Sequence, residues 1–452
     1  MLPDVPLLEV FDFYVTYAWI EAWRTLVRVC QRWRNLVYGS PRRLKLRLYC
    51  GHRTPARKLL DIWPPIPFII VVYDLKNSCV DDICAALEHN DRIHEIDLNA
   101  IPSSQSGKVL AAMHRPFPLL KRLQLVFENE TAPVDPDLFL GGPARGLKRL
   151  KTLSLNGIPA SGLPVLLLSA THLVCLELCG IPHSGYISPV ATVTCLSVLT
   201  RLESLMIEFE SPRSRPGREN RHPPPQPRTL LPLLTAFRFK GSSKYLEDFV
   251  ARVDAPLIRN LAITLFHRLI FETPQLTQFI TRIPQFKTHE EAFVVFSDSA
   301  AWISLDGVHE LKVICREPAL QLLSLAQVCN WSFPRALLPT VGDLYVIPDD
   351  GFSDLRWPDD IESSHWLELF RPFTAVEELH LSQGFIPRIA PALRELVGER
   401  VVEVLPDLQA LFLEDTLPSE SGPGIGQFVA ARRRASRPIA VSCWDRELSD
   451  SS

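Results

Sequence analysis

Four segments, LKRLQLVF (120–127), LKTLSLNG (150–157), LVCLELCG (173–180) and LESLMIEF (202–209), repeat one pattern of aliphatic residues. In each segment the later aliphatic residues alternate with other residues, which is typical of a β-strand that buries one of its faces. The segments begin 23 to 30 residues apart. Even spacing of this kind predicts consecutive strands of one parallel sheet, each followed by a connection that returns behind it.

The same pattern continues in both directions from these segments. Further copies begin at Ile93, Leu234, Ile258, Val308, Val341, Val376 and Leu408, and AFVVF (292–296) is a degenerate copy in the longest gap. Most steps are close to the repeat length of leucine-rich repeats. The predicted fold class is therefore α/β: an irregular leucine-rich-repeat solenoid over 43–440, with a parallel sheet and helices or turns on its convex side. The alternative is an ordinary α/β domain of alternating strands and helices.

The positions between the inward leucines form the face that we expect to bind a target protein. In this register the face carries Arg122, Gln124, Ser154, Asn156, Cys175, Glu177, Met206, Glu208, Arg238 and Lys240. This mixed surface has no ladder of aromatic and basic residues of the kind that binds nucleic acid. The sequence does not identify the target.

Two arginine-rich segments interrupt or close the array. The segment 211–228 has six prolines and five arginines, and such stretches bury too little to order themselves. It is predicted to be an exposed irregular loop, with a basic docking loop for an acidic partner as the alternative. The cluster ARRRAS (431–436) fits the basic end of a helix or a nuclear-localisation or phosphorylation motif. Residues 441–452 are expected to form a C-terminal tail.

The first residues of the chain predict two amphipathic helices. In MLPDVPLLEVFDFYV, residues Leu7, Val10, Phe11 and Tyr14 recur at helical spacing. Pro6 is tolerable only if that helix begins close to Pro3, because the first amides of a helix have no intrahelical acceptor. WRTLVRVCQRWRNLV (23–37) reads as a second helix with its arginines on the opposite face. Two such helices cannot form a core alone, so they pack on a partner or on the array.

These two helices resemble an F-box, whose pattern opens LPxE(L/I)LxxIF and later reads WxxLxxVCxxWR. The matching positions are Leu2, Pro3, Leu7, Val10, Phe11, Trp23, Leu26, Val29, Cys30, Trp33 and Arg34. The continuation SPRRLKLRL resembles the large F-box families of mushroom-forming fungi. The resemblance implies an all-helical F-box at 1–42 that binds a Skp-type adaptor and, through it, a cullin–RING ligase. The adaptor contact is expected to use Leu2, Pro3, Leu7, Val10, Phe11, Leu26, Val29 and Trp33.

The implied function is substrate recognition for a Skp–cullin–F-box ubiquitin ligase. Val5 and Pro6 depart from the family pattern, where an acidic and an aliphatic residue are usual, and they favour the alternative of a repeat-based binding scaffold with a vestigial F-box. A further alternative is that the helices only cap the array. A different class of function altogether is an enzyme on an α/β scaffold.

Composition and motif content narrow the possible classes of function. The 452 residues are 46% apolar and 22% charged with a net charge of −3, so no basic field attracts nucleic acid. The longest apolar run, FIIVVY (68–73), is too short to cross a bilayer. Ten dispersed cysteines without a CxxC pair predict a reducing compartment, cytoplasm or nucleus. The sequence has no GxGxxG, GxxxxGK(S/T), HExxH or GxSxG motif, which favours a binding protein without enzymatic activity, metal or cofactor.

Overall fold

The structure is a computed structural model that describes residues 2–17, 22–50, 55–72, 80–127, 148–158, 163–212, 228–266, 273–333, 337–349, 361–416 and 422–445. It divides into two compact units, Met1–Arg221 and His222–Ser452. The proline- and arginine-rich segment predicted as a loop at 211–228 lies almost wholly outside the described residues, as does most of the predicted tail.

The first unit combines an N-terminal helical segment with a parallel sheet. Its described helices are α1 Asp4–Tyr17, α2 Ala22–Val29, α3 Gln31–Gly39, α4 Ala56–Ile62, α5 Val80–Leu87, α6 Ser103–Ala112, α7 Leu163–Leu167 and α8 Pro189–Leu196. Its described strands are β1 Arg47–Tyr49, β2 Phe68–Val72, β3 Ile93–Ile101, β4 Arg122–Phe127, β5 Thr152–Asn156, β6 Cys175–Ile181 and β7 Ser204–Phe209. These strands are parallel and pair in chain order.

The parallel leucine strands predicted from the sequence are confirmed. Each of β4 to β7 begins two residues after a motif start. Leu123, Leu153, Leu176 and Leu205 stand opposite one another and are buried. Gly180 marks the end of regular pairing between β6 and β7: its φ is +56°, and a Cβ there would lie 2.7 Å from Oδ1 of Asn156, so this position needs glycine.

The second unit also consists of sheet strands and helices. Its described strands are β8 Thr229–Leu230, β9 Ala236–Gly241, β10 Val253–Asp254, β11 Asn260–Phe266, β12 Glu291–Phe296, β13 Ala300–Leu305, β14 His309–Ile314, β15 Asp343–Pro348, β16 Glu378–Leu381, β17 Ala410–Glu414 and β18 Ala440–Trp444. Its described helices are α9 Ser243–Val250, α10 Pro274–Thr281, α11 Pro318–Trp331, α12 Ser363–Phe370, α13 Ile386–Arg394 and α14 Gly422–Arg434. The order in the sheet is β9-β11-β14-β13-β12-β15-β16-β17-β18, and β8 pairs with β10 separately.

One strand departs from the predicted parallel sheet. β13 is antiparallel to both β12 and β14, so the degenerate copy AFVVF belongs to a three-stranded meander. The tight turn between β13 and β14 explains this: Asp306 and Gly307 have φ of 48° and 66°, the backbone that an Asp-Gly hairpin turn requires. The signal was present in the sequence as Asp-Gly between two alternating apolar runs.

Two predicted boundaries are corrected by the structure. The helix expected over 23–37 is broken at Cys30, which is extended (φ −161°, ψ 169°). The break is stabilised because Nε of Arg34 donates to the carbonyl of Val27 at 3.1 Å, an orphaned acceptor at the end of α2. The array also extends to β18, whose residues Ala440–Trp444 pair with β17, so the first residues of the predicted tail 441–452 are a strand.

The basic cluster ARRRAS is the end of a helix, as predicted. It closes α14, and the side chain of Arg432 is fully buried. Its guanidinium donates to four backbone carbonyls of residues 401–408, the shortest bond being 2.8 Å to Leu408. Arg432 therefore holds an irregular segment of the second unit by satisfying carbonyls that no strand or helix uses.

Candidate functional site

The helical segment 2–39 builds a small core and packs on the first strands. Phe11 is fully buried and its ring lies 4.7 Å from that of Trp33. Trp23 is buried against Trp63, with ring centroids 4.6 Å apart, and its Nε1 donates to the carbonyl of Arg47 at 3.2 Å. As expected from their few apolar residues, the helices rely on the array for part of their core.

The residues predicted to contact an adaptor fall into two groups. Leu7, Phe11 and Leu26 are buried inside the segment, at 5%, 0% and 5% exposure. They support the contact surface from beneath and are not themselves available on it, which corrects the expectation that Leu7 is a surface anchor. The exposed members are Leu2, Pro3, Val10 and Val29, and Trp33 is half-buried.

The exposed members are apolar side chains on helices that already have a core. Leu2, Val10 and Val29 are 59%, 55% and 56% exposed, and Val5 is 64% exposed. α1 begins at Asp4, so Pro6 lies in its first turn, where it removes no helical hydrogen bond. Aliphatic side chains that stay exposed on helices with a closed core are available to a partner.

The predicted target-binding residues of the first unit share one strand face. Gln124, Ser154, Glu177 and Met206 stand opposite one another on β4 to β7. The row before them contains Arg122, and Asn156 and Glu208 lie further along β5 and β7. Most of these side chains are half-buried, Arg122 is exposed, and Ser154 is only 9% exposed.

Hydrogen bonds within this face satisfy many of its polar groups. Arg122 donates to Oε1 of Gln124 at 2.9 Å, Gln124 donates to Oδ1 of Asn99 at 3.2 Å, and Asn99 donates to Oδ1 of Asp97 at 2.8 Å. Burial raises the pKa of Asp97, and the charge of Arg122 opposes that shift. Sequence reasoning missed Asp97 and Asn99, although both occupy outward positions of β3.

Arg238 and Lys240, the last two predicted face residues, lie on β9 of the second unit. They stand opposite Ala262 and Thr264 of β11. Arg238 is exposed, and Nζ of Lys240 lies 6.0 Å from the ring centroid of Phe266. The outward positions of β9 therefore carry two cations.

Sequence reasoning missed a row of stacked rings on the second unit, which we name the aromatic ladder: Phe293, Tyr345, His380, Phe412 and Trp444. Successive centroids from Phe293 to Phe412 are 4.7, 4.2 and 4.4 Å apart, with interplanar angles of 12°, 17° and 4°. Trp444 meets His380 edge-on at 5.2 Å. Neighbouring strands are about 4.8 Å apart, so rings at equivalent positions stack.

Beside the aromatic ladder runs a row of carboxylates, which we name the acidic row: Glu291, Asp343 and Glu378. They occupy the same register on β12, β15 and β16, two residues before the rings of those strands. Burial, followed by the charge of Glu378, raises the pKa of Asp343. Burial, followed by the charge of Asp343, raises the pKa of Glu291.

The acidic row and burial also shift the pKa values of two residues of the aromatic ladder, Tyr345 and His380. Burial raises the pKa of Tyr345 to about 12, and all three carboxylates of the acidic row add to this shift. Burial lowers the pKa of His380 to about 4, with Asp343 opposing. His380 is therefore a neutral imidazole near neutral pH, and its Nε2 lies 3.4 Å from Oε2 of Glu378.

A signal for the aromatic ladder was present in the sequence. Tyr345, His380 and Phe412 each stand four residues after a motif start, at Val341, Val376 and Leu408. The predicted face used this position only in the earlier copies, as Gln124, Ser154, Glu177, Met206 and Arg238. Trp444 had no such signal, because β18 follows no leucine motif.

Other chemistry is sparse in the described part of the chain. No group of three or more His, Cys, Asp or Glu side chains there could hold a metal ion. Nine cysteines are present in that part as free thiols, and burial raises the pKa of Cys175 and Cys195 to about 11, so these two are poor nucleophiles. None of the helices described is long and apolar enough to span a membrane.

Comparison with known proteins gives structural likeness only. No family model matches the chain, and no curated protein does. The leucine-rich repeat-containing protein LegL7 from Legionella pneumophila is 12% identical, with a TM-score of 0.28 over 86% of this chain and 97% of that chain. A chain of the Rad7 and Elc1 complex in yeast is 10% identical, with a TM-score of 0.31 over 99% of this chain and 94% of that chain. Likenesses this weak carry no functional argument, and the leucine-rich-repeat class rests on the protein's own strand register.

Proposed function

We propose that this protein is the substrate-recognition subunit of a Skp–cullin–F-box ubiquitin ligase. The helical segment acts as the F-box that binds a Skp-type adaptor, and the repeats bind a target protein. The observation that carries the proposal is that Leu2, Val10 and Val29 are exposed on helices whose own core is already closed. The resemblance of residues 2–34 to the F-box pattern supplies the identity of the partner.

In this role the protein performs no chemistry. It holds the target near a ubiquitin-charged enzyme bound elsewhere on the ligase, and so raises the target's effective concentration. Such a function needs an apolar adaptor surface and a repeat face with exposed polar and aromatic side chains. It needs neither a metal nor a cofactor.

The adaptor surface is tested with Val10→Asp. Val10 is 55% exposed, so the charge leaves the fold intact but becomes unpaired and desolvated when an adaptor covers it. We expect the affinity for a purified Skp-type adaptor, measured by titration calorimetry, to fall on the order of 30-fold, the equivalent of about 2 kcal/mol. Val190→Asp is the matched control, because Val190 is 48% exposed on α8, outside the helical segment.

The outcomes separate the competing functions. Failure of the wild-type protein to bind the adaptor would reject the ligase function and leave the alternative, a repeat scaffold with a vestigial F-box, which Val5 supports. Equal binding by the wild type and Val10→Asp would keep the ligase function and reject this contact surface. Leu7→Asp is unsuitable, since a charge at a residue only 5% exposed would unfold the segment itself.

A further inference from the structure

The acidic row is an arrangement that costs stability. Glu291, Asp343 and Glu378 stand side by side on three strands, and like charges directly opposite one another on a sheet repel. The other charges that act on Asp343 are those of Glu377 and Glu290, which add to the repulsion, and that of His380. Within the described residues, no arginine or lysine forms an ion pair with these three carboxylates. A cation at this place would relieve the repulsion.

The aromatic ladder restricts what kind of cation fits. The ring faces of Tyr345 and His380 are covered by their neighbours in the stack, so the ring that can receive a planar, weakly hydrated cation is Trp444, which meets His380 edge-on outside the stack. The same unit contains a cation–π contact: Nζ of Lys312 lies 4.0 Å from the ring centroid of Trp302. A metal ion is a poor fit, since it needs several oxygen ligands converging on one point.

A buried group connects the ladder to the acidic row. His380 is 6% exposed, its Nδ1 has no hydrogen-bond partner among the described residues, and its Nε2 lies 3.4 Å from Oε2 of Glu378. Its ring lies between those of Tyr345 and Phe412, and Trp444 meets it edge-on. Glu378 and Trp444 therefore lie next to the same residue, so one guanidinium, which carries five N–H donors, can pair with the carboxylate and lie on that ring.

We propose that the aromatic ladder and the acidic row bind a basic segment of the target protein, with an arginine side chain lying on Trp444 and paired with the carboxylates. Charge complementarity selects this occupant, because the negative field of the acidic row repels nucleic acid and attracts arginine. This inference rests on the proposed function to the extent that the repeats bind a target protein, but the surface itself works without the adaptor.

The test uses the full-length protein and a fluorescein-labelled peptide of alternating glycine and arginine, with the citrulline version as the uncharged control peptide. Fluorescence anisotropy gives the dissociation constant. We expect the double variant Asp343→Asn/Glu378→Gln to bind the arginine peptide about tenfold more weakly than wild type, and Trp444→Ala to bind several-fold more weakly. Glu395→Gln is the matched control, since Glu395 is exposed at the end of α13 and its loss leaves affinity unchanged.

Removing like charges from the acidic row is expected to raise the thermal midpoint or leave it unchanged, and a thermal melt of every variant, including Trp444→Ala, checks that the fold is retained. Equal affinity of the wild type, the double variant and Glu395→Gln would overturn the proposal, as would equal binding of the citrulline peptide. The result is independent of the adaptor titration. A protein that binds the peptide but no adaptor supports the surface and rejects the ligase function, and the reverse result supports the ligase function and rejects the surface.

Discussion

The two units bury the same kind of leucine row but carry opposite kinds of strand face. In the first unit, Arg122, Gln124, Asn99 and Asp97 form one continuous hydrogen-bonded chain, so donors and acceptors largely satisfy one another. In the second unit, the acidic row places like charges together beside stacked rings. One face is adapted to its own stability, and the other places like charges side by side with shifted pKa values, which is typical of a binding site.

The comparison separates what specifies the fold from what specifies a ligand. The inward positions of the motif are interchangeable between the units, since every copy needs only an apolar residue that fills the space behind the sheet. The outward positions do not affect the strand register, so they are free to differ. A repeat protein can therefore change its ligand without changing its fold.

The largest expected effect tests whether the buried rows are equivalent. Leu153 of the first unit and Leu379 of the second are both fully buried at the same position of the motif. Leu153→Ala and Leu379→Ala should each lower the free energy of unfolding by about 3 kcal/mol, measured by urea denaturation. Thr152→Ala, a half-buried neighbour, is the control and should cost much less. A small effect at either leucine would show that the two rows differ.

The second prediction concerns pH and separates the units. Burial lowers the pKa of His309 and His380 to about 4, and both residues belong to the second unit. In the unfolded chain these histidines bind protons with their ordinary pKa of about 6.5. The free energy of unfolding is therefore highest above that pH and decreases as the pH falls toward about 4. His309 faces His289 and Asp306, and His380 faces the acidic row.

Urea midpoints measured at about pH 7.5 and about pH 5.5 test this prediction, because the carboxylates titrate mostly below that interval. His380→Phe keeps the ring stack and removes one titrating group, so its midpoint should depend less on pH than that of the wild type. An unchanged pH dependence in His380→Phe would mean that His380 is not buried as a neutral imidazole.

Sequence patterns predicted the strands well and the surfaces only in part. Spacing located β4 to β7 because buried leucines repeat with the strands that carry them. The helix break at Cys30 escaped prediction, since the apolar pattern runs through it and only the Arg34 side chain reveals the end of α2. A helical wheel likewise shows that Leu7 and Val10 are apolar, but not which one meets the protein's own core. Which of the two is buried depends on contacts with residues that are distant in the sequence.

The smallest effect is the most direct test of the contrast between the two faces. Gln124→Ala removes two side-chain hydrogen bonds from the first unit, so it should lower the free energy of unfolding by about 1 kcal/mol. Asp343→Asn removes a charge that its neighbours repel, so it should raise that free energy by about 0.5 kcal/mol at neutral pH. Opposite signs in parallel urea titrations mark one face as self-satisfied and the other as strained in the absence of a ligand. A loss of stability in Asp343→Asn would mean that Asp343 is stabilised within the protein, and the acidic row would then have no need of an external cation.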